Sequence, residues 1–367
     1  MPINVLVISD YRDYHSTRPE VGIFIGLAKL GFNVFIMTYG LTPFRQEFKT
    51  AGIHLIDFHP EKKFDKAEIK IIRDVLIKED IHIVHLFNSK AIINGIKAAR
   101  GLPVKVVLYR GFTGNVHWYD PSAYLKYLHP RVDKIYCNSK GVEEHLQKQL
   151  FLDKRKIVTI YKGHDVNWYK EYQPIPIKEE LGIPKDSFIL VNVSNNRKMK
   201  GIPYILKAMN LLPDEFPIHL LLVGKNMDDK QNMDIINSGT KKNKIHLLGF
   251  RTNALNIIKS SDVLVFPSIN GEGMPKAVIE SMALGIPPII TNIPGNNELV
   301  TDEKCGIIVP PKNPEALCQA ILKMYHDRVL CKELGKNGQL RIKNHFNLDQ
   351  SIQKTKELYE ELAFEKA

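Results

Sequence analysis

A rhythm constrains this chain more than any single motif. Short β-branched or apolar runs at residues 3–9, 33–38, 53–58, 82–87, 104–109 and 134–138 read as strands, and segments of helical periodicity at 21–30, 67–77, 91–99 and 142–150 lie between several of them. Parallel strands need a long crossover and a helix supplies it, so this alternation predicts a doubly wound, mostly parallel sheet. The pattern stops once, at 161–176 (YKGHDVNWYKEYQPIP), where aromatics, glycine and prolines crowd together. It then resumes with strands at 188–193, 219–223, 244–248, 263–267, 288–291 and 306–309, and finishes in helical segments at 314–327 and about 348–363. A chain of 367 residues exceeds what one hydrophobic core usually organises. The reading is therefore α/β, with two Rossmann-like doubly wound parallel-sheet domains joined near residue 170.

Composition narrows the function classes. With 44% hydrophobic and 25% charged residues the chain reads as soluble and globular, and no apolar run approaches the roughly 20 residues that cross a bilayer. The start, MPINVLVISDYRD, lacks a basic region ahead of its apolar run and reads as a buried first strand rather than a secretory leader. Cys137, Cys305, Cys318 and Cys331 are scattered, which predicts neither a zinc site nor a disulfide framework and fits a reducing cytoplasm. The net charge of +11 suits nucleic acid, an anionic membrane face or phosphorylated small molecules, or is simply a solvated basic surface. No RNP-like aromatic run, zinc finger or basic zipper accompanies it, so nucleic acid is not an expected partner.

In open α/β sheets ligands bind beyond the carboxyl ends of strands, often at helix N-termini. Three such junctions in the second half carry unusual residues. In VNVSNNRKMKGIPYILKAM, Arg197, Lys198, Lys200 and Gly201 precede an amphipathic helix. Cations there oppose the helix dipole, and make sense if an anion binds as well; the guanidinium fork and the ammonium point charge suit a diphosphate. In VLVFPSINGEGMPKAVIESMALGIPPIIT a strand ends at Pro267-Ser268, a loop carries Glu272 between Gly271 and Gly273, and a helix runs from about 275 to 284. Pro275 suits a first helical turn, and Glu280 lies deep enough to accept hydrogen bonds from two vicinal ribose hydroxyls. The third junction, 291–300 (TNIPGNNELV), ends with Glu298, which the dipole also favours as a first-turn charge.

Together these junctions resemble the retaining glycosyltransferases of the GT-B fold, specifically glycosyltransferase family 4, the "glycosyl transferases group 1" domain. The resemblance rests on Arg197-Lys198-Met199-Lys200-Gly201, on Pro267-Ser268, on Glu272-x7-Glu280 followed by Ser281-Met282-Ala283, and on Pro294-Gly295 with Glu298. It is strong over about 186–345, moderate over 132–146 and 160–169, and weak in the first hundred residues. It implies two domains facing a central cleft: 1–168 for the acceptor, with a C-terminal helix at about 348–367 crossing back to it, and 169–347 for the donor. By that resemblance Arg197 and Lys200 hold the donor diphosphate, Glu280 the ribose, and Glu272 the transferred sugar. Gly201, Gly273, Met274, Pro275, Lys276 and Glu298 line the donor site, and Phe250, in the 247–250 segment, lies beside the base.

The first domain departs from the family pattern. Residues 11–19 (YRDYHSTRP) lack the Gly-Gly loop common after the first strand. Arg110 occupies the place where many members carry a histidine near the sugar, and His117 is close enough in sequence to substitute. The resemblance implies retention by same-face attack, with a UDP- or GDP-sugar donor and no cofactor or metal. It also implies an acceptor that is a glycan or lipid-linked glycan in envelope polysaccharide or lipopolysaccharide assembly, handled in the cytoplasm or at the inner face of an anionic cytoplasmic membrane. The rival readings are a non-catalytic nucleotide-sugar binder on this scaffold and a GT-B sugar-nucleotide epimerase.

Overall fold

The computed structural model of the protein describes residues 2–114, 116–149 and 153–364. Two compact units emerge, one of Met1–Gly163 with Phe346–Ala367 and one of His164–His345. The first unit holds seven strands: β1 (Asn4–Ile8), β2 (Asn33–Thr38), β3 (His54–Asp57), β4 (Ile83–Leu86), β5 (Lys105–Arg110), β6 (Lys134–Cys137) and β7 (Ile157–Thr159). They are all parallel, in the order β3-β2-β1-β4-β5-β6-β7.

Strand periodicity builds the core of this unit on both sheet faces. Leu6 and Ile8 join Val84, Leu86, Ile72, Leu76, Ile92 and Ile96 on one side. Val5 and Val7 join Phe24 and Leu27 of the Tyr14–Lys29 helix, and Leu358, Tyr359 and Leu362 of the Leu348–Phe364 helix, on the other. The late helix is fixed by polar contacts as well. The Ser351 hydroxyl accepts from the Gly163 amide at 2.9 Å and donates to the Tyr161 carbonyl at 2.7 Å. The Tyr359 hydroxyl lies 2.7 Å from His85 Nδ1.

The second unit carries β8 (Phe188–Val193), β9 (Ile218–Val223), β10 (Ile245–Gly249), β11 (Val263–Phe266), β12 (Pro288–Thr291) and β13 (Ile307–Val309), parallel in the order β10-β9-β8-β11-β12-β13. Leu190, Leu220, Leu222, Val263 and Val265 pack against the Ile202–Leu211 and Pro314–His326 helices. Strand order reverses between β1 and β4 in the first sheet and between β8 and β11 in the second. Those switch points are where such sheets leave a crevice at their carboxyl ends.

Several boundaries differ from the sequence reading. The first helix starts at Tyr14, not Val21, because Asp13 caps it by accepting from the Ser16 amide at 2.8 Å; Pro19, inside the helix, obscured the early periodicity. β7 is three residues long, too short to show alternation. The helix read at 142–150 spans Lys140–Gln149, and Leu150 lies outside the described residues. No helix among the described residues is long and apolar enough to cross a membrane.

His85 yields a pH prediction. It is 1% exposed, and burial pushes its pKa down to about 3. The folded state therefore keeps it neutral, and an unfolded histidine takes up a proton near pH 6.5. This contribution is intact above that value and is lost as pH falls from about 6.5 through 3, up to about 4–5 kcal/mol. Glu20 opposes it, because burial raises its carboxyl pKa and the neutral form is favoured as pH falls. Thermal unfolding of wild type and His85→Asn between pH 7 and 4 is expected to show the steeper loss in wild type. Parallel curves would show that His85 is not held neutral.

Candidate functional site

The second sheet's switch point assembles a cluster from three strand-to-helix junctions. Beyond β8, the chain makes a tight turn at Lys198–Lys200, headed by Arg197 in extended conformation (φ −125°, ψ 143°). It reaches the Ile202–Leu211 helix through Gly201 at φ +66°, a left-handed conformation that favours glycine. A Cβ at Gly201 would also meet the Pro267 carbonyl oxygen inside 3.0 Å, so the β8 and β11 junctions touch through backbone. The Ile269 amide donates to the Met199 carbonyl at 2.7 Å and locks the two together. Below them Asn192 Nδ2, fully buried, donates to the Val265 carbonyl at 2.8 Å and ties the strand ends.

The two junctions exchange charge where they meet. Lys200 Nζ donates to Glu272 Oε1 at 2.7 Å, and the same oxygen accepts from Ser268 Oγ at 2.8 Å. Lys200 also lies 4.7 Å from the centre of the Phe266 ring. The pair is enclosed, with 18% of the lysine side chain and 8% of the glutamate's exposed. Arg197 and Lys198 are exposed and make no ion pair among the described residues, so one cation of this turn is committed to a carboxylate and two are open to solvent.

Pro275 heads the Lys276–Ala283 helix, and no side chain caps it, so its first-turn amides face the loop. One turn in, Glu280 is 5% exposed and pairs with Lys276 at 2.5 Å. From β12, the Thr291 hydroxyl donates to the Ser268 carbonyl, bringing the third junction against the second. Gly295, at φ +87°, lies so close to the Gly273 carbonyl that a Cβ would fall inside 3.0 Å of its oxygen. Glu298 follows in a short helix, and Arg341 donates to its carbonyl at 2.8 Å. Met274, next to Gly273 in the chain, is buried. Phe250, beyond β10, is 64% exposed with Lys225 Nζ 5.4 Å from its ring centre.

Backbone contacts thus join Gly201 and Gly273 to the neighbouring junctions, side chains join Lys200 to Glu272, and Lys276 joins Glu280. Arg110 and His117 belong to the first unit, where they form a different cluster at the carboxyl end of β5. Arg110 is buried, donates from Nε to the Phe112 carbonyl at 2.9 Å and also binds the Gly114 carbonyl. Its guanidinium stacks 3.8 Å from the Phe112 ring centre. His117 Nδ1 lies 2.8 Å from Gln149 Oε1, and its ring stacks on Tyr119.

One acidic group escaped the sequence reading. Glu20 is 8% exposed at the carboxyl end of β1, where it accepts from Ser9 Oγ at 2.8 Å. Its signal was present, because it shares the buried helix face of Ile23, Phe24 and Leu27. The four cysteines are buried and free, and burial pushes the Cys331 thiol up to about 12, so none is a poised nucleophile. Among the described residues no group of three or more His, Cys, Asp or Glu is placed to hold a metal ion.

Comparison with known proteins bears on this geometry. Residues 175–341 match the family described as "Glycosyl transferases group 1", and residues 24–168 match "Glycosyltransferase Family 4". The chain is 31% identical, over 82% of its length and 81% of the relative's, to the Escherichia coli UDP-Gal:alpha-D-GlcNAc-diphosphoundecaprenol alpha-1,3-galactosyltransferase. A glycosyltransferase structure from Rickettsia africae superimposes with a TM-score of 0.84 at 21% identity, covering 100% of both chains. The Anabaena protein HepE, solved with UDP, superimposes with a TM-score of 0.77 at 17% identity, covering 98% of this chain and 100% of its own.

Proposed function

The chain belongs to glycosyltransferase family 4, with the GT-B fold of two parallel-sheet domains, and from that premise we propose that it moves a sugar from UDP to a polyprenyl-diphosphate-linked glycan with retention of anomeric configuration. One observation carries the reading. The three junctions at the second sheet's switch point bring the basic turn, the Glu272 carboxylate and the uncapped helix of Glu280 into one bonded cluster. The choice of UDP and of a lipid-linked acceptor follows the E. coli relative, which is named for both.

In this reading Arg197 and Lys200 meet the diphosphate, with the first-turn amides near Lys276 adding neutral donors. Glu280 takes the ribose hydroxyls, Phe250 lies against the base, and Glu298 belongs to the same donor site. Glu272, held by Lys200 and Ser268, accepts from hydroxyls of the transferred sugar. Charge builds on the leaving phosphate as the bond from the anomeric carbon to the phosphate oxygen breaks and takes its electron pair there. The acceptor hydroxyl bonds to the anomeric carbon on the same face and gives its proton to that phosphate. Arg110 and His117 act from the first unit on the sugar or acceptor. The work belongs to envelope polysaccharide assembly at the cytoplasmic side of a membrane.

Purified protein supplied with a panel of nucleotide sugars tests the reading. Free UDP is expected to appear only with a UDP-sugar and to rise on adding a polyprenyl-diphosphate-linked N-acetylhexosamine. No acceptor-dependent release with any donor would overturn it, leaving a binding protein. Glu280→Gln is expected to weaken UDP binding by one to two decades, since an unmatched buried hydrogen-bonding group costs about 1–3 kcal/mol. It should also erase the preference for UDP over 2′-deoxy-UDP in titration calorimetry. An unchanged preference would remove Glu280 from the ribose.

A further inference from the structure

The loop that follows β5 is held from outside itself. Gly114 has both of its backbone groups engaged: its carbonyl accepts from the Arg110 guanidinium, and its amide donates to His145 Nε2 at 3.3 Å. His145 is half-buried on the Lys140–Gln149 helix, 31 residues further along the chain. One turn beyond it on the same helix, Gln149 Oε1 lies 2.8 Å from His117 Nδ1. Positions i and i+4 share a helix face, so one face of this helix meets the loop at two points. Asn138, just after β6, adds a third by donating from Nδ2 to the Gly111 carbonyl at 3.2 Å.

The contact at Gly114 fixes the state of the histidine. A backbone amide nitrogen can only donate, so Nε2 must offer its lone pair, and the neutral ring then carries its proton on Nδ1. A proton on Nε2 would set one N–H against another and break the bond. The surroundings oppose that proton. Burial pushes the His145 pKa below the usual histidine value, and His117 and Arg110 from the loop and Lys148 from its own helix push it the same way. The His117 and His145 ring centres are 6.1 Å apart, edge to face. Folding thus favours the neutral ring. Its contribution is intact above about pH 6.5 and is lost as pH falls from there through the depressed value.

Arg110 depends on the same arrangement. It binds the carbonyls of residues 112 and 114 and stacks on the Phe112 ring, so the direction of its guanidinium follows the path of the loop. Freeing the Gly114 amide therefore loosens the frame of Arg110 and of His117 together.

We infer that His145 is a positioning residue for the transfer, shaping the loop of Arg110 and His117 while its Nε2 is unprotonated and releasing it when a proton binds there. The inference rests on the reading that Arg110 and His117 act on the sugar or acceptor. The loop can be followed without turnover, so its test fails or succeeds apart from that reading. Hydrogen exchange of the intact protein, from about pH 7 down to about 4.5, is the measurement, with protection taken relative to the β5 amides. In wild type, protection at Gly114 is expected to fall about three- to tenfold as pH drops, the scale of one intramolecular hydrogen bond. His145→Gln keeps an acceptor and does not titrate, so it is expected to hold its protection throughout. His145→Leu removes the acceptor and is expected to show the low protection at every pH. With nucleotide sugar and acceptor supplied, the acid side of the kcat profile is expected to flatten in His145→Gln while the KM for the nucleotide sugar stays put. Wild-type protection that ignores pH would overturn the inference. So would an equal fall in His145→Gln, which would assign the titration to another group. An acid side unchanged in His145→Gln would end its role in the transfer.

Discussion

Lys200→Ala is expected to lower kcat/KM for the nucleotide sugar by at least one to two decades and to destabilise the second unit as well. The activity term comes from losing a charge-assisted contact to the diphosphate, worth about 1.5–3 kcal/mol. The stability term comes from Glu272, 6% exposed, which would keep Ser268 but lose its cation. Removing one partner of a buried pair costs about 3–5 kcal/mol. The two terms separate in Lys200→Met/Glu272→Gln, which leaves no orphan charge. That double variant should regain much of the melting temperature and none of the activity. Normal kcat/KM in Lys200→Ala would end the diphosphate assignment. Normal activity with a lowered melting temperature would make the pair purely structural.

A single methyl group at Gly201 is expected to damage the same region through shape alone. Gly201→Ala adds a Cβ in a left-handed conformation, at roughly 1–2 kcal/mol, and drives it into the Pro267 carbonyl. The oxygen it meets is backbone, so the strain cannot be relieved by a rotamer change. The β8 and β11 junctions must part, and with them the Met199–Ile269 hydrogen bond and the alignment of Lys200 with Glu272. A drop of about 10 °C in the unfolding of the second unit is the expected scale, at 2–4 °C per kcal/mol for a domain of this size. Gly182→Ala is the control, because its φ is +65° but a Cβ there meets nothing within 4 Å. If both glycine variants melt alike, close approach of the two junctions is not what Gly201 provides.

Much of this architecture could be read from the chain because its signals are local. Parallel strands buried on both faces are continuous apolar runs, so β2 was bounded at 33–38 from the sequence alone. The residues of the three junctions at the second sheet's switch point could be picked out for a related reason, since each junction puts its polar residues within a few positions of a strand end. What was not legible is pairing across long separations. Lys200 and Glu272 are 72 residues apart, and nothing in either segment announces that one neutralises the other. Asn94 looks like an ordinary helix residue until its side chain is seen to clamp the strained turn at Phe64. Arg110 shows a third limit. Its place after β5 could be read, but its commitment to the carbonyls of residues 112 and 114 depends on loop geometry that no periodicity encodes.

The return of the Leu348–Phe364 helix to the first unit has a consequence for how the molecule is made. The first unit is begun before the second on the ribosome, yet the apolar side formed by Phe24 and Leu27 of its first helix and Tyr136 of β6 lacks its last covering helix until the entire second unit has been synthesised. The second unit is a continuous stretch of chain and can close its own core as soon as it emerges. The half-built first unit must wait with apolar surface open to water, a state that invites capture by chaperones or by other nascent chains. Stalled translation anywhere between residues 164 and 345 would therefore strand the first unit, not the second, as the aggregation-prone fragment.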